Sequence, residues 1–555
     1  MPSSPHPQSN ADDFRIRLED GGMTLRSAVH HLASLAHHDT HVQTACQRPM
    51  VGIAAVLLGA VISTLFGRLT TFGLADIRGA VHAGVDEGAW IPTAATVAQM
   101  FVGPPAVWLG AAFGPRRVLG VSAVVFLVAM ALLPLSPNLN TLLVFQVIGG
   151  LSCGTFIPLT IGFVLQSLPQ KYWPFGIAAY GLNLELSLNI PASLEGWYLD
   201  NLDWRWIFWQ NALLAIPMIV CVWAGMPKPP INRELLHRVD PWGMFYAGAG
   251  FSMLYAALDQ GNRLDWLNSG EISGLLLGGG LLLTAFIGHE LISERPWINL
   301  RFLLGRNILM LLAILALYRF ATLATNYLIP QYLTTIQNFR SLEVGHVLIW
   351  IAMPQIILAP LIAYALKVID PRTVLALGVG AIGVACLLAT QLTQDWQTGE
   401  FLPSQMLQAF GQSAALIALV LFFVRHLRPA DALTFGVLLQ TARLFGGELG
   451  TAFMTTFVRV SEQANSYLLG LHIRTGDTIV TDRIASYADS LASRSGGGVE
   501  AALRASSLLG QTVRVQANIL SFIDGFGIVA GAAIVMLLMI ALLKAPPTTP
   551  QPTQA

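Results

Sequence analysis

From about residue 50 almost to its end, the chain repeats one pattern: stretches of mostly apolar residues, each long enough to span a bilayer, separated by short polar segments. A helix needs about 20 apolar residues to cross the hydrocarbon layer, and inside lipid every backbone N–H and C=O must be satisfied within the segment. Fourteen such stretches can be marked, at roughly 51–74, 88–110, 117–135, 140–166, 174–198, 206–226, 241–258, 271–290, 307–332, 343–366, 372–391, 402–425, 432–458 and 518–543. The expected fold class is an all-α polytopic membrane protein. Composition excludes the main competitors. Charged residues make up 11% of the 555, where a soluble domain has about 25%. The 31 basic residues balance the 31 acidic ones, so no global field attracts nucleic acid.

Orientation follows from the short loops, because an excess of Lys and Arg marks the cytoplasmic face. With the N-terminus inside, 18 of the 31 basic residues fall in inner segments, and only Arg78, Arg205, Arg263 and Arg340 fall in short outer loops. Both termini are therefore expected in the cytoplasm. Residues 1–48 are polar and hold no apolar core of the kind a signal peptidase requires, so span 1 is expected to direct insertion. This tail carries six of the twelve histidines, among them His30, His31, His37, His38 and His41, and Met23 offers a second start. It reads as a disordered tail rather than a metal site, because no carboxylate or thiol arrangement accompanies the histidines. Cys46, Cys153, Cys221 and Cys386 suggest neither a disulfide framework nor a zinc site.

No GxxxxGK phosphate loop, GxSxG elbow or HExxH pair is present. A chain with fourteen spans and no nucleotide site must draw on a gradient to move anything uphill, so a secondary transporter leads and an enzyme is not expected. Specific residues narrow this. Asp203-Trp204-Arg205-Trp206-Ile207-Phe208 opens span 6, Asp240 and Gly243 open span 7, and LDQGNRLDWLNSGEI runs from Leu258 to Ile272. NYLIPQYL spans Asn326 to Leu333, and TARLFGGELGTAF spans Thr441 to Phe453. Together these segments resemble the fourteen-span drug:proton antiporters of the major facilitator superfamily, the EmrB/QacA type, over about residues 50–543. The departures mark a divergent branch. Phe66 stands where the family carries an Asp in span 1, with Arg68 two residues on. Ala111 replaces the Asp of the loop between spans 2 and 3, although Arg116 and Arg117 persist as candidates for the cytoplasmic gate. Gln146 replaces the Arg of span 4, and Pro191-Ala192-Ser193-Leu194-Glu195-Gly196 replaces the GPxxGG-like motif of span 5.

The resemblance implies the major facilitator fold in a 6 + 2 + 6 arrangement: a six-helix bundle at 49–228, two inserted helices with linkers at 229–305, and a second bundle at 306–545. Residues 459–517 form a long periplasmic loop, expected as short helices broken by a glycine hinge, and 546–555 a cytoplasmic tail. It further implies that spans 1, 4, 9 and 12 line a central cavity and that spans 2, 5, 10 and 13 form the seam between halves, span n answering span n + 8.

An ionisable group at lipid depth costs roughly 2.5–3.5 kcal/mol, so each one needs a partner, a wet cavity or a function. Arg68 in span 1, Glu185 in span 5, Arg319 in span 9, and Arg443 with Glu448 in span 13 are the proton-coupling candidates. Glu185 and Glu448 are expected to face the wet interior and at least one to exchange a proton as an arginine approaches or leaves; the alternative is a fixed ion pair that locks one conformation. Arg443 and Glu448 are five residues apart, which disfavours a direct pair. Replacing either carboxylate by Gln is expected to abolish gradient-driven movement and spare substrate binding. Gln146, Asn183, Asn326, Tyr327, Gln331, Gln408 and Gln412 are candidates for substrate contact, suited to an amphipathic organic molecule, the alternative being bonds from helix to helix.

The expected function is proton-coupled efflux of small amphipathic or aromatic compounds by alternating access across a bacterial inner membrane. No cofactor or metal is expected beyond the proton gradient. The partners are the small-molecule substrate, protons and membrane lipid, and the resemblance adds a periplasmic adaptor and an outer-membrane channel. With Arg68 and Arg319 near the cavity, uptake or facilitated movement of a specific organic anion is the alternative, and a membrane-embedded enzyme or sensor a remote one.

Overall fold

The computed structural model describes residues 48–544 except 238, 294–297, 299–304, 427–431, 475–476 and 493–497. The His-rich tail before Arg48, the C-terminal tail after Lys544, and parts of the expected linker and periplasmic loop lie outside the described residues. All regular secondary structure among the described residues is helical. Counting helices of eight residues or more, α1 is Pro49–Phe72, α2 Trp90–Phe113, α3 Pro115–Leu132, α4 Leu139–Cys153, α5 Phe156–Ser167, α6 Trp173–Asn189, α7 Pro191–Asn201, α8 Trp206–Gly225, α9 Pro241–Gly261 and α10 Gly270–Ile292. The second half continues with α11 Arg306–Ala321, α12 Ile329–Ile336, α13 Ser341–Ala365, α14 Pro371–Ala389, α15 Leu402–His426, α16 Ala432–Gly470, α17 Thr478–Ala492 and α18 Gly498–Ala541.

Local chemistry explains where these helices begin. Pro49, Pro115, Pro191, Pro241 and Pro371 each occupy a first turn, where the missing N–H costs no bond. Asn138, Asp240 and Asp370 cap their helices by accepting from the backbone N–H of Thr141, Gly243 and Arg372 at 3.0, 3.0 and 2.8 Å. Gly114, at φ +87°, makes the turn into α3 that a side chain would strain, and Arg117 closes it by donating to the Phe113 carbonyl at 3.0 Å. Arg117 is thus fixed to this turn, and Arg116 precedes it in the first turn of α3.

Among the described residues, eleven helices are long and apolar enough to cross a membrane by length and composition. The expected spans 5, 7 and 13, which fall outside that set, are helical as α6–α7, α9 and α16. Span 5 is divided into two helices of 17 and 11 residues, span 7 mixes its apolar residues with Pro241, Trp242, Tyr246, Tyr255 and several glycines, and span 13 carries Arg443 and Glu448. Span 5 breaks at Ile190, before Pro191. The expected loop of short helices at 459–517 is different in form: α16 runs on to Gly470, and α18 begins at Gly498 and enters the last span unbroken. The strong helix formers of the 500–517 segment simply continue the membrane helix outward.

In the first bundle α1 packs on α8 and α5, and α3 on α8 and α4, around Phe66, Phe126 and Phe156. Phe66 is therefore a core residue edge-on to Phe126 at 5.6 Å, where an acid would have no partner. The second bundle packs α14 on α15 and α18, and α11 on α16 and α18. Across the seam α6 and α7 meet α13, while α2 and α5 meet α16. The inserted hairpin is no bystander: α9 packs on α10, on α2 and on α16, so it touches both halves.

Candidate substrate cavity and its charged lining

A cavity of about 260 Å³ opens between the halves. Most of its walls gather toward one end of the bundle: Ser63 to Thr71 from the later turns of α1, Pro92 to Gln99 from the first turns of α2, Tyr255 and Asp259 from the end of α9, and Arg319 to Asn326 from the end of α11 and the turn beyond it. Leu188 closes it from α6, and α16 adds Arg443 to Thr451. Ala324–Leu328 is a π-helical turn, which widens the backbone at the point where Asn326 reaches the cavity.

Three guanidinium groups face this space. Arg68 donates through Nη2 to the Asn326 carbonyl at 3.4 Å and to Asn326 Oδ1 at 3.3 Å, and lies 5.6 Å from the Phe72 ring centroid. Arg443 donates to Gln440 Oε1 at 3.3 Å and Thr64 Oγ1 at 3.5 Å. Arg319 lies against α16, where a Cβ on Gly447 would stand 3.3 Å from its Nη2, so the absent side chain makes its berth. Among the described residues no carboxylate comes within 4.0 Å of any of the three. Arg443 and Glu448 accordingly form no direct pair.

Two acidic positions differ. Glu448 faces the cavity with the Tyr255 hydroxyl as neighbour and Asp259 beside it. Asp259 in turn accepts from Thr93 and, at 2.8 Å, from Gln260 Nε2. Glu185 sits behind the wall in a chamber of about 30 Å³ that shares Thr64, Leu188, Arg319 and Arg443 with the main cavity. It is 1% exposed; Tyr318 donates its hydroxyl to Glu185 Oε1 at 2.7 Å, and Oε2 has no hydrogen-bond partner.

Of the residues singled out in the sequence, Arg68, Arg319, Arg443, Glu448 and Asn326 converge on the cavity and Glu185 adjoins it. The other amide and aromatic candidates lie outside its lining. Asn183 donates to the Leu57 carbonyl at 2.7 Å, Gln412 to Thr325 Oγ1 at 3.0 Å, and Gln408 to the Cys386 sulfur at 3.5 Å. These are bonds from helix to helix. Gln146 is fully buried, Tyr327 packs against the second-half core, and Gln331 is exposed and donates to Thr335 at 3.2 Å. The expected set of lining spans changes with them. Spans 1 and 9 do line the cavity, but in place of 4 and 12 the walls are spans 2, 5, 7 and 13. Asp259 and Tyr255 were not anticipated, although Asp259 sits in the Leu258–Ile272 string. That string also ties the hairpin down: Arg263 pairs with Asp86 at 2.7 Å, and Trp266 Nε1 donates to Thr456 at 3.1 Å.

Two bundles meeting around a charged cavity agree with what the sequence matches, since residues 56–451 fit the family model of the Major Facilitator Superfamily. The chain belongs to that superfamily. Members are transporters, so this chain is a multi-pass membrane transporter and not an enzyme. Relatives within the superfamily include the multidrug export protein EmrB of Haemophilus influenzae, 25% identical over 75% of this chain and 82% of its own length. The fatty acid resistance protein FarB of Neisseria gonorrhoeae is 24% identical over 71% and 80%, and the multidrug resistance protein B homolog of Mycobacterium tuberculosis is 24% identical over 91% and 86%. The human organic anion transporter MFSD10 shares the superfamily fold with a TM-score of 0.52 at 14% identity, over 89% of this chain and 99% of that one.

Proposed function

We propose that the chain exports small amphipathic organic compounds from a bacterial cell in exchange for protons, alternating access to one cavity between its two bundles. The observation that carries this reading is Glu448, an ionisable carboxyl on the wall of a cavity assembled from both halves and the inserted hairpin. A carboxylate reached by water and cargo can hold either a proton or a cargo group, and that exclusion is what antiport requires. The relatives named for multidrug export and for fatty acid resistance support outward movement of amphipathic compounds. The loop charges support cytoplasmic termini in the inner membrane, which makes the cavity end of the bundle the periplasmic one. The extensions of α16 and α18 belong to that same end, and a periplasmic adaptor leading to an outer-membrane channel is the partner the reading implies.

The test is transport into inverted vesicles with an acidic lumen. Each proton exchanged across one pH unit supplies about 1.4 kcal/mol, or about tenfold accumulation. Accumulation that collapses with the gradient supports antiport. Equilibration indifferent to the gradient would make the chain a facilitator instead.

A further inference from the structure

We propose that the cargo is a zwitterionic amphiphile, its anionic group held by Arg68, Arg319 and Arg443 and its cationic group by Glu448. The cationic half rests on the antiport reading above; the anionic half rests on the arginines alone.

A guanidinium offers five N–H donors, and a buried donor left without an acceptor is costly. Arg319 makes no side-chain hydrogen bond among the described residues, and its Nε is buried without a partner. Arg68 and Arg443 reach only neutral oxygens, at 3.3–3.5 Å, while Nε of the first and Nη2 of the second are buried and unpartnered. Arg319 also lies within electrostatic range of both other arginines, so like charges crowd one wall. What satisfies such a set is a planar anion able to accept paired N–H bonds, such as a carboxylate.

An anion by itself does not fit antiport, because an anion brought beside a carboxylate favours the protonated acid. Cargo and proton would then bind together, which is the sign of symport. A cationic group at Glu448 reverses the sign, since it and the proton exclude one another. The groups next to Glu448 are Tyr255 and Asp259 from α9, the second an acid whose like charge disfavours a second carboxylate beside it. Arg68 from α1, Arg319 from α11 and Arg443 from its own helix line the same cavity without pairing with it; α2 presents Thr96 and Gln99, which do not titrate near neutrality. Asp259 already accepts from both Thr93 and Gln260, whereas among the described residues Glu448 has only the Tyr255 hydroxyl as a donor beside it, which makes Glu448 the more open receiving acid.

The test uses the full chain in lipid nanodiscs and three matched probes: 4′-(aminomethyl)biphenyl-4-carboxylate, 4′-methylbiphenyl-4-carboxylate, and the corresponding methylbiphenyl methylamine. Calorimetry at pH 7.5 in two buffers of different ionisation enthalpy reads affinity and proton exchange together. The zwitterion is expected to bind about tenfold or more tightly than either singly charged probe, consistent with one charge-assisted bond lost, and to release protons. In Arg319→Gln its advantage over the amine disappears, and in Glu448→Gln its advantage over the acid and the proton release disappear. Arg319→Lys, which keeps the charge, retains part of the advantage. Equal binding of acid and zwitterion, or of amine and zwitterion, overturns the proposal. The vesicle assay separates this from the antiport reading. Selective binding with gradient-indifferent movement removes the coupling and keeps the anionic half of the site; gradient-driven export of other compounds without selective zwitterion binding removes the cargo class and keeps the coupling.

Discussion

Glu185 and Glu448 sit on α6 and α16, helices expected in matching places in the two halves, yet their surroundings are opposite. Glu185 is 1% exposed, against a chamber of about 30 Å³ and with a phenol on one oxygen. Glu448 stands in a cavity of about 260 Å³ with room for cargo. An ionisable group at lipid depth can be tolerated either because a protein group bonds it or because water reaches it, and this chain uses both solutions in one fold, although Tyr318 bonds only one of the two oxygens of Glu185. The comparison teaches that equal placement does not mean equal role: Glu448 is positioned for exchange, while Glu185 is positioned to hold Tyr318 and to sit beside Arg319.

The largest effect should come from Glu448→Gln. Accumulation in inverted vesicles is expected to fall from about tenfold per pH unit to equilibration, with zwitterion binding weakened about tenfold. Retained gradient-driven accumulation would erase the distinction between the two acids. Next is Arg319→Gln, where losing charge-assisted bonds worth about 1.5–3 kcal/mol should raise KM for an anion-bearing cargo about 10- to 100-fold with a smaller change in maximal rate. The initial rate of uptake against cargo concentration checks it, and an unchanged KM would place the arginine outside the binding wall.

Much of this was legible in the sequence. The apolar stretches gave the helices, and the rarity of charge at lipid depth singled out Arg68, Arg319, Arg443 and Glu448 before any pairing was known. What stayed hidden depends on register and distance along the chain. Arg68 meets Asn326 across 258 residues, and Tyr318 meets Glu185 across 133. No local pattern encodes such meetings. The amides of span 12 look from sequence like cavity residues, but polarity alone does not tell a group that faces water from one that bonds a neighbouring helix, and Gln408 and Gln412 do the latter. Asp259 was hidden by a boundary: the apolar run ends at residue 258, whereas α9 continues to Gly261 and so carries the acid to the cavity wall.

The buried site yields a smaller effect that sharpens the contrast. Tyr318→Phe removes the donor and leaves a buried carboxylate without its bond, which should cost about 1–3 kcal/mol of stability. Glu185→Gln keeps an oxygen that accepts from Tyr318, so thermal stability should hold; because Glu185 lies outside the main cavity lining, accumulation should be reduced rather than abolished, contrary to the expectation from sequence. Complete loss of accumulation in Glu185→Gln, with stability intact, would make the buried acid a proton carrier equal to Glu448 and dissolve the comparison.

The smallest effect expected is that of Gly447→Ala. A helix interior gains up to about 1 kcal/mol from the change, so the melting temperature in detergent should rise slightly rather than fall. The added Cβ stands 3.3 Å from Arg319 Nη2, which is tight, but the neighbour is the end of a flexible side chain and can move by a few tenths of an ångström. That movement has a direction, away from α16. It should therefore raise KM about twofold for cargo bearing a carboxylate and leave a purely cationic probe unaffected, a difference worth roughly 0.4 kcal/mol. An equal rise for both probes would mean that the glycine serves the packing of α16 on α11 instead of the berth of the arginine.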